Sequence, residues 1–142
     1  MAALVLLAAV AAGCGGSSDS SASLTKAEFV KKGDAICKRF EQERLSAIKA
    51  FVLVHKGKLG PTATQEDLVE EAALPPIRAG VEKLAELGTP KTDADKATKF
   101  VEAYEEAVSH IGENASVALN GDPFAKVRKA SSGFGFKNCG QI

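Results

Sequence analysis

The run LTKAEFVKKGDAICKRFEQERLSAIKAF, residues 24–51, decides the fold. Thr25 followed three residues later by Glu28 is a capping box, in which a hydroxyl and a carboxylate each satisfy a backbone N–H left over at a helix start. Leu24 and Phe29 occupy the two positions of a hydrophobic staple around it. Phe29, Phe40 and Phe51 then recur every 11 residues, close to three helical turns, with Gly33, Ile36, Cys37, Ala47 and Ile48 on or beside the same stripe. The spacing predicts one long helix that ends near Gly57 to Gly60 and packs its aromatic stripe into a core.

Downstream, Thr64 reads as the cap of a second helix, with Gln65, Glu66 and Asp67 at the positive end of its dipole and Leu68, Ala72, Val81, Leu84 and Leu87 on its apolar side. Pro75 and Pro76 each remove a backbone donor inside that helix, so a kink or a break is expected there. Thr92 or Asp93 caps a third helix carrying Ala97, Phe100, Val101, Tyr104, Val108 and Ile111. Asn120-Gly121 makes a turn, and Asp122 with Pro123 in the first helical position opens a fourth helix with Phe124, Val127 and Ala130, closed by Gly133 and Gly135. No stretch alternates apolar and polar residues over strand length. The fold class is therefore all-α, and short connections favour an antiparallel, up-down-up-down four-helix bundle with a kinked second helix.

At 142 residues, 45% hydrophobic and 25% charged, the chain has the profile of one globular domain. Its zero formal charge lacks the basic footprint of nucleic-acid binding, and 6% aromatic residues without Trp leave few stacking platforms, so no nucleic-acid partner is expected. Residues 2–12 are all Ala, Val or Leu, too short a run for the ~20 residues of a spanning helix but suited to the apolar core of a secretory signal. Nine residues of Gly, Ser, Asp and Ala, Gly15 to Ser23, follow Cys14 and read as a flexible tether reaching on the order of 15 to 20 Å.

The end of the apolar run, Val10-Ala11-Ala12-Gly13-Cys14, resembles the lipobox of bacterial lipoproteins. Together with the tether and the Cys-bearing helical part that opens Leu24-Thr25-Lys26-Ala27-Glu28-Phe29, the chain is similar to small, uncharacterised helical lipoproteins of high-GC Gram-positive-type bacteria. It departs from the pattern in that Met1-Ala2-Ala3 has no basic residue, which a start further upstream would supply. The resemblance implies a lipoprotein signal peptide over residues 1–13, a lipidated Cys and tether over 14–23, and a helical bundle domain over 24–142. It further implies covalent diacylglycerol on Cys14, no other cofactor, and a location on the extracytoplasmic face of the cell membrane, where a diacyl anchor holds stably by itself.

With Cys14 assigned to lipid, the three cysteines leave the pair Cys37 and Cys139. In an up-down-up-down bundle the start of the first helix and the segment after Phe134 lie at the same end, and an exported chain favours a disulfide between them. Buried free thiols and a catalytic thiol are the alternatives, although neither residue sits in a Cys-x-x-Cys motif or beside a His base.

Charge is arranged by segment: residues 24–60 carry net +5, 61–90 net −4, 91–114 net −3 and 115–142 net +3. Lys31, Lys32, Lys38 and Arg39 form a basic face that reads as solvated, or as a contact for anionic lipid or cell-wall polymer. Glu106, His110 and Glu113 share one helical face at spacings able to hold a divalent ion, but a di-metal bundle needs a second Glu-x-x-His set and the sequence has none, so no metal is expected. Gly133-Phe134-Gly135-Phe136 offers two rings, to a partner or to the end of the bundle near Cys139. With no nucleophile elbow and no phosphate-binding glycine loop, catalysis is not expected. The sequence thus reads as a lipid-anchored, noncatalytic binding or interaction module of the envelope, meeting an envelope protein or polymer. The alternative is a small-ligand carrier or sensor holding an apolar molecule between helices where Pro75 and Pro76 splay the second one.

Overall fold

Glu28 donates its N–H to the Thr25 hydroxyl at 3.2 Å, and Thr25 returns its own N–H to the Glu28 carboxylate at 2.9 Å. Those hydrogen bonds, the backbone one foremost, hold the Glu28 carboxyl below its ordinary range. The capping box opens α1, Lys26–Val54, in the computed structural model of the chain, which describes residues 24–56, 60 and 63–141. The helix buries Phe29, Gly33, Cys37, Phe40 and Phe51 along the expected stripe. It stops at Val54, before the expected glycines: His55 caps it with its N–H on the Phe51 carbonyl, and Lys56 turns the chain in the left-handed region. Val54 is 75% exposed, so this last turn has no packing to extend it.

Thr64 and Asp67 form a second capping box, and the hydrogen bonds from Thr64 lower the Asp67 carboxyl. It opens α2, Gln65–Asp67, which runs into a π-helical segment, Leu68–Ala73, and then α3, Leu74–Glu86. The kink or break expected at Pro75 and Pro76 is resolved as this π-turn. A proline ring clashes with the carbonyl four residues back, and widening the turn before it lets Leu74 donate to the Val69 carbonyl five residues back. The extra residue rotates the buried face. Val69, Leu74 and Ile77 are buried, while Leu68, expected on the core side, is only half-buried.

The third helix, α4, runs Ala94–Glu113 and buries Ala97, Phe100, Ala103, Tyr104, Ala107, Val108 and Ile111. Asp93 stands at its cap position but does not cap. Its backbone is left-handed, at φ 61°, and its carboxylate bonds Lys26 Nζ and Lys96 Nζ, each at 2.9 Å. The two lysines, Lys26 first, draw the Asp93 carboxyl down to about 2.

A short helix that the sequence reading did not foresee, α5, Ser116–Asn120, follows, with the Asn114 side chain accepting from the Ser116 N–H and hydroxyl. The last helix, α6, runs Ala125–Phe134 and starts later than Asp122-Pro123 suggested. Asp122 gives its carbonyl to the Ala125 N–H, and its carboxylate pairs with Arg128 instead of capping. Gly135 closes α6 at φ 103°, while Gly133 lies within it.

No strand occurs among the described residues, and the chain is all-α. α1 packs along the π-turn and α3, α3 against α4, and α4 against α5 and α6. Close approach of α1 and α3 depends on Gly80, over which the Phe40 ring lies so tightly that a Cβ there would stand 2.1 Å from a ring carbon. The main core spans all of these helices except α2, and a smaller one gathers Phe51, Ala63 and Ala72 beside the far end of α1.

Candidate functional site

Between those two cores lies a cavity of about 310 Å³, and the π-turn supplies its wall. Val69, Leu74, Ile77 and Ile111 are almost fully buried and form its floor; Ile48, Leu68 and Ala118 are half-buried and surround its mouth. Without the π-turn, Val69 and Leu74 would not face the same side, because residues five apart align only in the wider helix. Phe124 closes the side next to α6.

One charged group lines this apolar space. Arg44 holds its guanidinium at the mouth by two bonds to the Glu41 carboxylate, Nε at 2.8 Å and Nη2 at 2.6 Å. Its side chain is 22% exposed and that of Glu41 28%, so the pair is screened less than the surface pairs Arg39–Glu43 and Lys83–Glu86. Donating to the Glu41 carboxylate raises the Arg44 pKa further, and the guanidinium stays charged. Among the described residues nothing accepts from Arg44 Nη1. A half-enclosed apolar cavity with one oriented charge is the usual composition of a small-molecule site, and its volume falls at the lower end of the ~300–1,000 Å³ range. A larger groove of about 830 Å³ between α3 and α4 is shallow and charged, lined by Arg78, Glu82, Glu86 and Glu105.

Two turns nearer the start of α1 than Arg44, the cysteines meet. Cys37 and Cys139 are joined in a disulfide with Cα atoms 5.0 Å apart. Asp34, one turn before Cys37, accepts the backbone N–H groups of Lys137 at 2.9 Å and Asn138 at 2.7 Å. Tyr104 donates its hydroxyl to the Cys139 carbonyl at 2.5 Å. Phe134 and Phe136, the rings considered for a partner, are buried and stacked on each other, 5.4 Å apart, with Phe29 edge-on to both. They close the core beneath the disulfide.

Burial, reinforced by the negative charges of Glu41 and Asp34, pushes the Tyr104 hydroxyl well above its ordinary range. A folded-state pKa raised above the unfolded one means stability present below about pH 10 and lost as the pH climbs beyond it. Tyr104 is the sole Tyr and Trp is absent, so tyrosinate absorbance reads this one group. We expect no ionisation at about pH 10, where an open tyrosine is half titrated, and a signal that appears only together with loss of helical circular dichroism. Tyr104→Phe should remove that coupling and cost about 1–3 kcal/mol, because the Cys139 carbonyl is left buried without its donor. A tyrosinate signal that rises near pH 10 in a folded chain would show the hydroxyl to be open to solvent.

The remaining candidates separate. Glu106 pairs with Lys126 Nζ at 2.5 Å and Glu113 accepts from Ser109, so the carboxylates flanking His110 turn to other partners. Among the described residues no group of three or more His, Cys, Asp or Glu is placed to hold a metal ion. Lys31, Lys32, Lys38 and Arg39 are exposed on α1, with Arg39 paired to Glu43. Cys14 and the whole of residues 1–23 lie outside the described residues. No helix among the described residues is long and apolar enough to cross a membrane. Comparison with protein-family models, curated proteins and solved structures finds no significant match to the chain.

Sequence reading expected an apolar pocket where Pro75 and Pro76 interrupt the second helix, which is where this cavity lies, but it did not give the lining, because the wall is made by the π-turn. The pair Glu41-x-x-Arg44 was visible at helical spacing, but nothing local distinguishes it from a solvated pair such as Lys83-x-x-Glu86.

Proposed function

We propose that this chain is a lipid-anchored, extracytoplasmic helical protein, a noncatalytic binding module of the cell envelope built as an antiparallel, up-down-up-down four-helix bundle. The observation that carries the reading is the Cys37–Cys139 disulfide. Such bonds persist in oxidising compartments, and pairing these two leaves Cys14 as the one cysteine outside the pair, at the end of the apolar run. The order of helix contacts, α1 with α3, α3 with α4 and α4 with α6, supports the bundle topology. The membrane is reached through the diacylglycerol on Cys14, and the folded domain meets an envelope protein or polymer beyond the tether.

The test is the intact mass of the protein recovered from host membranes, alkylated with and without reductant. Cleavage before Cys14, added acyl mass, and two thiols that react only after reduction are the expected results. A chain that keeps Met1 and alkylates at three thiols without reductant would place it in the cytoplasm and end this reading. The cavity at the π-turn favours the second reading, a carrier or sensor that holds a small apolar molecule between helices.

A further inference from the structure

Resting on the carrier reading, we infer that the cavity at the π-turn binds a single-chain carboxylic amphiphile of fatty-acid type, its chain on Val69, Leu74, Ile77 and Ile111 and its carboxylate on the outer edge of Arg44. The lining divides by depth. Its floor is aliphatic and buried, which rewards a hydrocarbon chain, and its mouth carries a guanidinium whose Nη1 side is unused within the described residues. Arginine presents a planar fork suited to carboxylate, and Glu41 holds that fork in place from the other side. Small residues at Ala73 and Ala118 keep the space open where larger side chains would fill it.

The volume decides the number of chains. About 310 Å³ is small for a ligand site, which fits one chain and excludes a two-chain lipid. The protein's own proposed acyl groups are a poor occupant. They are esters of diacylglycerol and carry no free carboxylate, so they lack the head that the Arg44 fork would hold. The ligand therefore comes from outside the chain, as a free fatty acid or the product of a lipid-hydrolysing reaction, and both present the same carboxylate and chain.

The full-length chain with its disulfide intact is titrated with carbon-13-labelled dodecanoate and, separately, labelled dodecan-1-ol, and bound ligand is read by NMR. Dodecanoate should bind more tightly than the alcohol. Arg44→Gln should weaken dodecanoate about tenfold, the scale of one charge-assisted hydrogen bond, and leave the alcohol unchanged. Glu41→Gln should do the opposite and tighten dodecanoate, because it releases the guanidinium from its internal carboxylate, an outcome that a merely structural ion pair would not give. Ala118→Phe should abolish binding by filling the cavity, and Leu68→Phe replaces it if the first variant loses helicity. Equal binding of acid and alcohol, untouched by Arg44→Gln, would overturn the anionic head while leaving the carrier reading intact. Binding that survives both filling substitutions would place the ligand elsewhere, and no bound signal from either probe would overturn the carrier reading together with this inference.

Discussion

Removing the disulfide, as the Cys37→Ser/Cys139→Ser double variant or by reduction, should lower the unfolding free energy by up to about 4.7 kcal/mol, the loop-closure value for about 100 residues. The bond links positions 102 residues apart, so its loss frees almost the whole described domain in the unfolded state. The folded state loses less. Asp34 still accepts from Lys137 and Asn138, and Tyr104 still donates to the Cys139 carbonyl, so the tail keeps its place without the covalent bond. Helical circular dichroism under native conditions should therefore be retained while the denaturant midpoint falls. The m-value should rise, because an unlinked unfolded chain exposes more surface than a looped one. A domain typically has about 5–15 kcal/mol in total, so this bond decides whether the reduced chain stays folded on warming. A reduced chain that unfolds at the oxidised midpoint, with the same slope, would show that the tail bonds alone set the stability. Asp34→Ala in each background then measures how far tail bonds and disulfide are coupled.

How much of this was legible in the sequence follows from the range of each interaction. The capping boxes at Thr25 and Thr64 need only residues three apart, and the aromatic stripe of α1 needs only helical periodicity, so both were readable. The cysteine pair was readable for another reason: with Cys14 set aside, parity and the expected order of the helices leave one choice. Asp93 and Asp122 were misread because a carboxylate at a helix start chooses between the backbone and the nearest cation. Lys26 is 67 residues from Asp93 in sequence and adjacent only in the fold. The cavity depends on three such things at once, the π-turn, the position of Ile111 at the end of α4, and the unforeseen α5 that brings Ala118 to its mouth. The proline pair announced that something must change in the second helix. It did not announce that the helix would widen instead of breaking, because that choice is made by the core that Val69 and Leu74 face.

Phe100→Ala is expected to cost about 3–5 kcal/mol, at the upper end for one side chain. Phe100 is fully buried and stands where the aromatic residues converge. Its ring stacks on Phe136 at 4.4 Å and meets Tyr104 edge-on at 5.3 Å, while Phe136 in turn stacks on Phe134 and Tyr104 meets Phe40 and Phe124. Truncation thus opens a hole between α4 and the tail, at the point where the rings from α1 and α6 also meet. The cost of such a hole depends on how far its walls can close. Here one wall is the segment carrying Phe136, which the Cys37–Cys139 bond and the Asp34 carboxylate hold in position, so little collapse is available. The same substitution in the reduced chain should therefore cost somewhat less, since the Asp34 and Tyr104 bonds alone then hold that wall and resist its collapse less than they do together with the covalent bond. Phe51→Ala supplies the comparison: Phe51 sits in the smaller core beside His55, with loosely covered walls, and its loss should be smaller in both redox states. Denaturant unfolding of the two variants, oxidised and reduced, makes the test. Equal losses for Phe100→Ala in both states would mean that the tail does not stiffen the core, and that the disulfide acts on the unfolded chain alone.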